Sequence, residues 1–465
     1  MGDAMKDNGE HIREAVAGGT WIFLGSLSNS IAGLIFWLVI TWLAGVRSIG
    51  IASSIVSASS IAVTFITAGM NIAVVREVAA RGREMIIASL LLAFIMGSIA
   101  AIIAAPLAKA LGYSRLTVIA SLLAILSVMS MTSQSSLIGL EMFKESFIST
   151  LVGSLSKLGV GVLLAVIGFK EIAPLIGYIV APLTIMCTAL MFIRLPMNVR
   201  EERYMVDGIK KIALMAVSNY PYVFSNQLLT MLNVYIFAYL VREEIATGTL
   251  YMTLMIALAM ASIPSSILSA ALPIGTRRGT NPFSEGFRIG LALTTPIIAV
   301  AIPLADKLLR TINPDLVSGT LALRILMLSI APLILMTTII MRLNKEGAVR
   351  EIALIGIMRL TLLIILLPIL TKIMGVNGAA IAFLITNIAL IPAALIYERT
   401  LLRCLIVLWG LHITTLIITY AMPFSKVFVA LIGLLISIAV MHISGIYKID
   451  EMCGTIRFIV YTLKM

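Results

Sequence analysis

Charged residues are scarce in this sequence. Only 12% of its 465 residues are Asp, Glu, Lys or Arg, whereas 60% are hydrophobic, and the mean hydropathy is +1.09. A soluble domain has about a quarter of its residues charged, and most of these lie on its surface. The composition therefore excludes a water-soluble globular protein and indicates that the chain lies in lipid.

Cysteine, histidine and catalytic motifs are also scarce. The cysteines, Cys187, Cys404 and Cys453, show no paired spacing, so neither a disulfide framework nor a zinc site is expected. The three histidines are far apart in sequence, and no HExxH, GxxxxGK[ST] or GxSxG string occurs. We therefore expect no catalytic residue, no metal and no cofactor, and the sequence argues against an enzyme.

Long apolar runs make up most of the chain. They are separated by short charged segments, and their length of about 20 to 28 residues suits a hydrocarbon core of about 30 Å. Because backbone polar groups in lipid need internal partners, and no alternation typical of barrel strands occurs, the predicted fold is all-α. We expect about fourteen spans, near residues 16–44, 48–75, 85–111, 116–140, 147–169, 172–194, 212–241, 247–275, 287–309, 318–341, 351–374, 377–397, 401–421 and 425–447.

The loops between these spans predict an orientation. Cytoplasmic loops are enriched in Lys and Arg, and 22 of the 34 basic residues fall on the side that holds both chain ends, against nine on the other side. Both ends are therefore predicted to be cytoplasmic. The basic residues are scattered over many loops, which argues against a nucleic-acid partner. The most basic loop, residues 194–211, divides the chain into halves.

Four cations within or at the ends of spans are candidate binding residues for an anionic headgroup: Arg76, Lys157, Arg324 and Arg359. Each buried charge costs about 2.5–3.5 kcal/mol on insertion scales, so such residues usually have a function. The structural alternative is that Arg76 and Arg324 reach the interface and that Lys157 and Arg359 bond backbone carbonyls. No carboxylate falls at mid-membrane, which argues against a carboxylate-coupled antiporter and favours anionic cargo.

Uncharged polar and aromatic residues within the spans are candidate cavity residues. Asn29, Asn71 and Asn233 could also bind a cation through their side-chain carbonyls. Aromatic rings can stack against a sugar. The full predicted set comprises Asn29, Asn71, Tyr222, Gln227, Asn233 and Tyr235.

Six strings resemble, in order, the polysaccharide-transporter branch of the multidrug/oligosaccharidyl-lipid/polysaccharide (MOP) exporter superfamily, the Wzx-like flippases. They are GTWIFLGSLSNSIAGLIFWLVITWLAG from Gly19, AGMNIAVVREVAARG from Ala68, IPSSILSAALP from Ile263, LRILMLS from Leu323, LNKEG from Leu343 and GVNGAAIA from Gly375. Arg76 and Arg324 match arginines of the corresponding family strings. Trp42 and Asn233 stand where relatives often carry a charge, which puts a borrowed charge-dependent coupling step in doubt.

The resemblance implies a V-shaped pair of six-helix lobes, residues 1–200 and 201–400, with two further helices and a cytoplasmic tail in residues 401–465. It also implies a monomer in the cell (plasma) membrane that moves a lipid-linked oligosaccharide or other polyprenyl-phosphate sugar among membrane lipids by alternating access. A cation-coupled multidrug exporter of the same superfamily is one alternative, and a buried acid such as Asp306 would favour it. A membrane enzyme of glycan assembly is another.

Overall fold

The structure is a computed structural model that describes residues 2–194, 202–278, 283–421, 425–444 and 446. Within the described helices, the side chains of residues 2–19, 22–23, 202–205, 218–219, 221–227, 269–278 and 394–395 are not described. The all-α prediction is confirmed, since the described residues form helices and contain no strand.

Sixteen α-helices and two short 3-10 helices, Ser114–Leu116 and Pro314–Gly319, make up the described part of the chain. The α-helices are α1 (Gly2–Ala44), α2 (Val46–Thr67), α3 (Met70–Arg81), α4 (Glu84–Ala110), α5 (Thr117–Gly139), α6 (Phe143–Ile167), α7 (Ala173–Ile193), α8 (Glu202–Val241), α9 (Glu244–Arg278), α10 (Phe283–Ile312), α11 (Thr320–Leu328), α12 (Ile330–Glu346), α13 (Val349–Ile388), α14 (Ile391–Tyr397), α15 (Leu401–Ala421) and α16 (Lys426–Ile443).

Within the described ranges, twelve helical segments are long and apolar enough to cross a membrane. The prediction of about fourteen spans differs at two places. One of the twelve covers Val349–Ala393, which contains two predicted spans. The other place is α8, whose described apolar segment, Leu228–Val241, is short.

A reversal at Gly375 divides α13 into two antiparallel parts. Gly375 has φ 55° and ψ −129°, a backbone conformation that glycine adopts easily because it lacks a Cβ. The parts fold back so closely that a Cβ at Gly378 would lie 1.9 Å from the carbonyl oxygen of Leu370. In a straight helix these residues would be about 12 Å apart. Spans 351–374 and 377–397 are therefore separate, as predicted.

Two other spans are less regular than predicted. The predicted span 48–75 is interrupted at Gly69, whose φ of 84° ends α2 and precedes α3. The predicted span 318–341 is interrupted at Ser329, between α11 and α12. Such local breaks leave no change in the apolar composition of a run, so run length does not reveal them.

Large apolar side chains lie on the surface of the bundle. Trp42, Ile102 and Met191 are 72%, 74% and 76% exposed. In water such surfaces drive aggregation, whereas lipid solvates them. Together with the twelve long apolar helical segments, these exposed side chains identify a multi-pass membrane protein.

The helix contacts follow the two halves of the chain. Helices α4 to α7 pack mainly with one another, α10 packs with α9, α15 and α16, and α1 and α2 meet α9 across the two halves. The lobe boundaries at 200 and 400 stay a prediction, and residues 195–201, which contain the first, lie outside the described residues.

Candidate functional site

The two halves of the chain meet at both ends of the bundle: Arg81 Nη2 lies 3.6 Å from Asp207 Oδ2 at one end, and backbones approach each other at the other. We term the end that holds Gly45 and Arg242 the outer end, following the orientation predicted from the basic residues. Arg47 Nε lies 3.7 Å from Glu244 Oε2, so the α1–α2 and α8–α9 turns share this end.

The backbones of α2 and α9 come into contact at the outer end. A Cβ at Gly50 would lie 1.8 Å from the Glu244 carbonyl oxygen, and one at Gly248 would lie 2.3 Å from that of Val46. We term this contact, formed by Val46 and Gly50 of α2 and Glu244 and Gly248 of α9, the outer seam. Only glycine permits so close an approach, so the outer end is closed.

Tyr113 covers the outer seam from the turn after α4. Its hydroxyl lies near Ser54 of α2 and near the Glu244 carboxylate. Burial, followed by the negative charge of Glu244, raises the pKa of its hydroxyl. Tyr113 is therefore a neutral hydrogen-bonding group at neutral pH.

One face of α1 is polar and accessible in its inner half. Ser26 and Asn29 are exposed and Ser30 is half-buried. At about 100° per residue, Trp37 and Ile40 fall on the same face further out, where both are buried. This face is therefore buried in the outer half of α1 and accessible in the inner half.

The opposite face of α1 is apolar and exposed. It carries Ile31, Ile35 and Trp42, which suit contact with lipid. Since the polar residues point away from this face, we infer that the accessible inner half of the other face borders a polar space between helices rather than lipid. We term this space the inner cavity.

Lys157 of α6 lies next to that cavity and is only 7% exposed. Its Nζ is 4.9 Å from the ring centroid of Tyr178 and 5.2 Å from that of Phe36. Among the residues that the structure describes, it has no hydrogen-bond or ion-pair partner. Cation–π contacts alone compensate weakly for the lost hydration of an ammonium group.

Polar residues on the same face of α6 lead towards Lys157. Ser154 donates a hydrogen bond to Asn29 Oδ1 at 3.4 Å, and Gln134 Nε2 of α5 donates one to Thr150 Oγ1 at 2.7 Å. Positions 150, 154 and 157 recur at helical spacing, so they share one face. Asn29 and Lys157 are thus neighbours in the structure, although they are 128 positions apart in the chain.

Arg324 lies elsewhere, among α10, α11 and α15. Its Nε donates to the Ile302 carbonyl at 3.0 Å, its Nη2 donates to that of Pro303 at 3.5 Å, and its guanidinium lies 5.0 Å from the ring centroid of Tyr420. Arg324 therefore bonds backbone carbonyls. In the structural alternative, backbone carbonyls were the expected partners of Lys157 and Arg359, and Arg324 was expected to reach the interface.

Arg359 and Arg76 are separate from Lys157 as well. Arg359 is 1% exposed, and its Nη2 donates to Asn387 Oδ1 at 2.8 Å, which joins the two parts of α13. Arg76 is exposed on α3. The hydrogen-bond and ring partners given above for Arg324 and Arg359 differ from those of Lys157, so a path shared by all four cations stays a prediction.

The predicted polar and aromatic residues are dispersed. Asn71 Oδ1 and Asn233 Oδ1 are buried and have no hydrogen-bond partner among the described residues, while Asn233 Nδ2 donates weakly to Ala379 O at 3.4 Å. Tyr235 donates to Leu107 O at 3.2 Å and so joins α8 to α4. The side chains of Tyr222 and Gln227 lie outside those described.

The candidate acid Asp306 and the buried acid Glu77 are both paired with cations. Asp306 Oδ2 lies 2.6 Å from Lys426 Nζ, and Glu77 Oε2 lies 3.1 Å from Arg81 Nε. No group of three His, Cys, Asp or Glu residues that could hold a metal ion occurs in the described ranges. The described residues therefore bring together a buried ammonium and polar uncharged groups, a set suited to an anion.

Sequence analysis missed the aromatic residues around Lys157. Phe36, Trp37 and Tyr178 are in or close to the spans' apolar runs, where aromatic residues are common. The helical spacing of Ser26, Ser30 and Trp37 could have indicated these aromatic residues, since it shows that one face of α1 changes from polar to apolar.

Comparison with known proteins gives the family. The family model described as polysaccharide biosynthesis protein matches residues 15–277, more than half of the chain. A structure described as lipid II flippase MurJ in an inward closed conformation matches at a TM-score of 0.66 and 14% identity, covering 92% of this chain and 100% of that chain. No curated protein matches the sequence.

Two other solved structures have the same fold. An inward-facing multidrug resistance MATE family transporter of the MOP superfamily matches at a TM-score of 0.61 and 14% identity, covering 82% of this chain and 94% of that one. A MOP superfamily transporter from Pyrococcus furiosus matches at 0.51 and 14%, covering 84% and 96%. The predicted resemblance is confirmed in family and fold: the chain belongs to the polysaccharide biosynthesis protein family, and its fold is that of the lipid II flippase MurJ and MATE transporter structures.

Proposed function

We propose that this protein moves a lipid-linked oligosaccharide or polysaccharide precursor across the plasma membrane by alternating access, with the phosphate of its cargo bound to Lys157. The observation that carries the proposal is the burial of this ammonium beside a polar inner cavity without an acidic partner. A phosphate would supply the charge-assisted hydrogen bonds that the described side chains do not.

The cavity residues suit the glycan next to that phosphate. Sugar hydroxyls cannot cross hydrocarbon without hydrogen-bond partners. Asn29, Ser154, Thr150 and Gln134 offer side-chain amides and hydroxyls on the inner side of Lys157. The polyprenyl tail stays in the surrounding lipid, the cargo undergoes no chemical change, and a single chain suffices.

The drug-exporter alternative receives less support. Its discriminating feature was a buried acid available to bind a proton or cation, and Asp306 was the candidate. The carboxylate of Asp306 pairs instead with Lys426. The MATE structures show the same fold at 14% identity, and fold alone does not choose a cargo.

Transfer of a labelled lipid-linked oligosaccharide between the leaflets of proteoliposomes tests the proposal. Lys157→Gln should slow transfer about 10- to 150-fold, because a hydrogen bond to a charged group contributes about 1.5–3 kcal/mol. Lys144→Gln is the control, since Lys144 is exposed on the first turn of the same helix. Lys157→Arg should retain part of the activity.

Two results would contradict the proposal. Undiminished transfer by Lys157→Gln would show that the buried ammonium does not bind the cargo. A parent protein that transfers no lipid-linked oligosaccharide, but exports small dyes along a cation gradient, would belong to the drug-exporting transporters instead.

A further inference from the structure

Three aromatic residues connect the two halves of the chain, and one of them, Tyr178, lies directly against Lys157. Trp37 Nε1 of α1 donates a hydrogen bond to the Tyr178 hydroxyl of α7 at 2.9 Å. The ring centroids of Trp37 and Tyr178 lie 5.1 Å apart, and the ring of Tyr251 of α9 meets that of Trp37 edge to face at 4.8 Å. We term Trp37, Tyr178 and Tyr251 the aromatic triad.

The triad lies between Lys157 and the outer seam. Tyr251 is seven residues from the outer end of α9 and Trp37 is seven residues from that of α1, or about 10 Å at 1.5 Å per residue. Lys157 is ten residues from the outer end of α6, about 15 Å. Trp37 and Tyr251 are each 1% exposed, so the helices are tightly packed on the outer side of Lys157.

Opening the outer end must break this arrangement. Trp37 and Tyr178 belong to the first half of the chain and Tyr251 to the second, and Thr41 Oγ1 beside them donates to Met252 Sδ at 3.3 Å. When α9 moves away from α1, Tyr251 loses its ring contact with Trp37. The outer end therefore opens more easily when the Tyr178 ring no longer holds its present position.

We propose that Tyr178 is a positioning residue that makes opening of the outer end depend on an anion at Lys157; the inference rests on the proposed function. In the structure, the Tyr178 ring lies under the ammonium while its hydroxyl accepts the hydrogen bond of Trp37, whose ring contacts Tyr251. A phosphate binds an ammonium more strongly than a ring face does, so binding draws Nζ away from Tyr178. The ring is then released, and the contact with α9 weakens.

Coupling of this kind acts in both directions. If an anion at Lys157 favours the open outer end, opening changes the affinity of Lys157 for the anion by the same factor. A cargo without a phosphate group fails to release Tyr178, so the outer end stays closed. The triad thereby makes opening of the outer seam depend on the charge of the headgroup.

Trp37 emission tests this link in the full chain in lipid nanodiscs. Replacing Trp21, Trp42 and Trp409 with phenylalanine leaves Trp37 as the one tryptophan of the four. The probes are a long-chain polyprenyl phosphate and the corresponding uncharged polyprenol. The phosphate should change the Trp37 emission and raise the rate of thiol modification at Thr41→Cys about 5- to 150-fold, whereas the polyprenol should do neither.

Phenylalanine variants separate coupling from packing. Tyr178→Phe keeps the ring and should bind the phosphate within about threefold of the parent, but should lose the response at Trp37 and at position 41. Tyr235→Phe is the matched control, since its hydroxyl also joins the two halves but bonds Leu107 away from Lys157. It should keep the response.

The two proposals fail in different ways. Equal phosphate binding by the parent and by Lys157→Gln would overturn the binding site of the proposed function. Binding that requires Lys157, together with a full response in Tyr178→Phe, would overturn the coupling and leave the binding site intact. If Tyr235→Phe also lost the response, any lost contact between the halves would have the same effect as the loss of the Tyr178 hydroxyl. That result would also refute the coupling.

Discussion

Replacing Gly248 with alanine should weaken closure of the outer seam. The added Cβ would lie 2.3 Å from the Val46 carbonyl oxygen, and since Cβ contacts essentially never fall below 3.0 Å, α2 and α9 must separate by at least the 0.7 Å difference. Overpacking of this kind costs about 1–3 kcal/mol. The cost arises only in the closed conformation, so the equilibrium should shift towards the open one by about 5- to 150-fold.

Thiol accessibility at the contact between α1 and α9 measures the shift. Thr41→Cys, in a chain whose three native cysteines are replaced, places the thiol at a buried position beside Met252. A membrane-impermeant reagent added from outside should modify it faster in Gly248→Ala. Gly33→Ala is the control, because a Cβ there meets nothing within 4 Å, although the helix propensity changes equally. Equal rates in both variants would refute a seam that depends on backbone contact.

Two predictions concern stability. Asn387→Ala should lower the free energy of unfolding by about 1.5–3 kcal/mol, because it removes a hydrogen bond to the buried guanidinium of Arg359. The midpoint of thermal unfolding measures this loss, and Asn387→Asp should retain the stability. An unchanged midpoint in the alanine variant would contradict the pairing. Asp306→Asn should lower the stability by at most about 1 kcal/mol, because Lys426 is 42% exposed and water screens the pair; a larger loss would show that the pair is more buried than its exposure indicates.

Most of the fold could be predicted from run lengths and loop charge. The spans around Gly375 were separated correctly because GVNG interrupts the apolar run and glycine tolerates the reversal. The breaks at Gly69 and Ser329 were not predicted, since an isolated glycine or serine also occurs within continuous membrane helices. Tertiary packing decides between these outcomes, and run length carries no information about it.

The site was predictable only in part. Lys157 could be selected because a cation in an apolar run is costly, and the structure places it beside the predicted Asn29. The same reasoning selected Arg324 and Arg359, which bond the Ile302 carbonyl and Asn387 instead. A sequence shows that burying a charged residue in an apolar run is costly, but it does not show which residue will pair with that charge. Tyr178 and Tyr251 were not selected as site residues, because their importance depends on contacts between distant helices.

The Arg359–Asn387 hydrogen bond also bears on how the chain enters the membrane during synthesis. The first part of α13 carries an arginine whose partner is 28 positions further along, in the second part. When the first part emerges from the ribosome alone, its guanidinium lacks the Asn387 carbonyl, and insertion bears a penalty of about 2.5–3.5 kcal/mol. Once the second part follows, the two can enter as a hairpin. A nascent chain cut before Asn387 should therefore integrate less completely than one cut after it, so the order of synthesis and the final hydrogen bonding are linked.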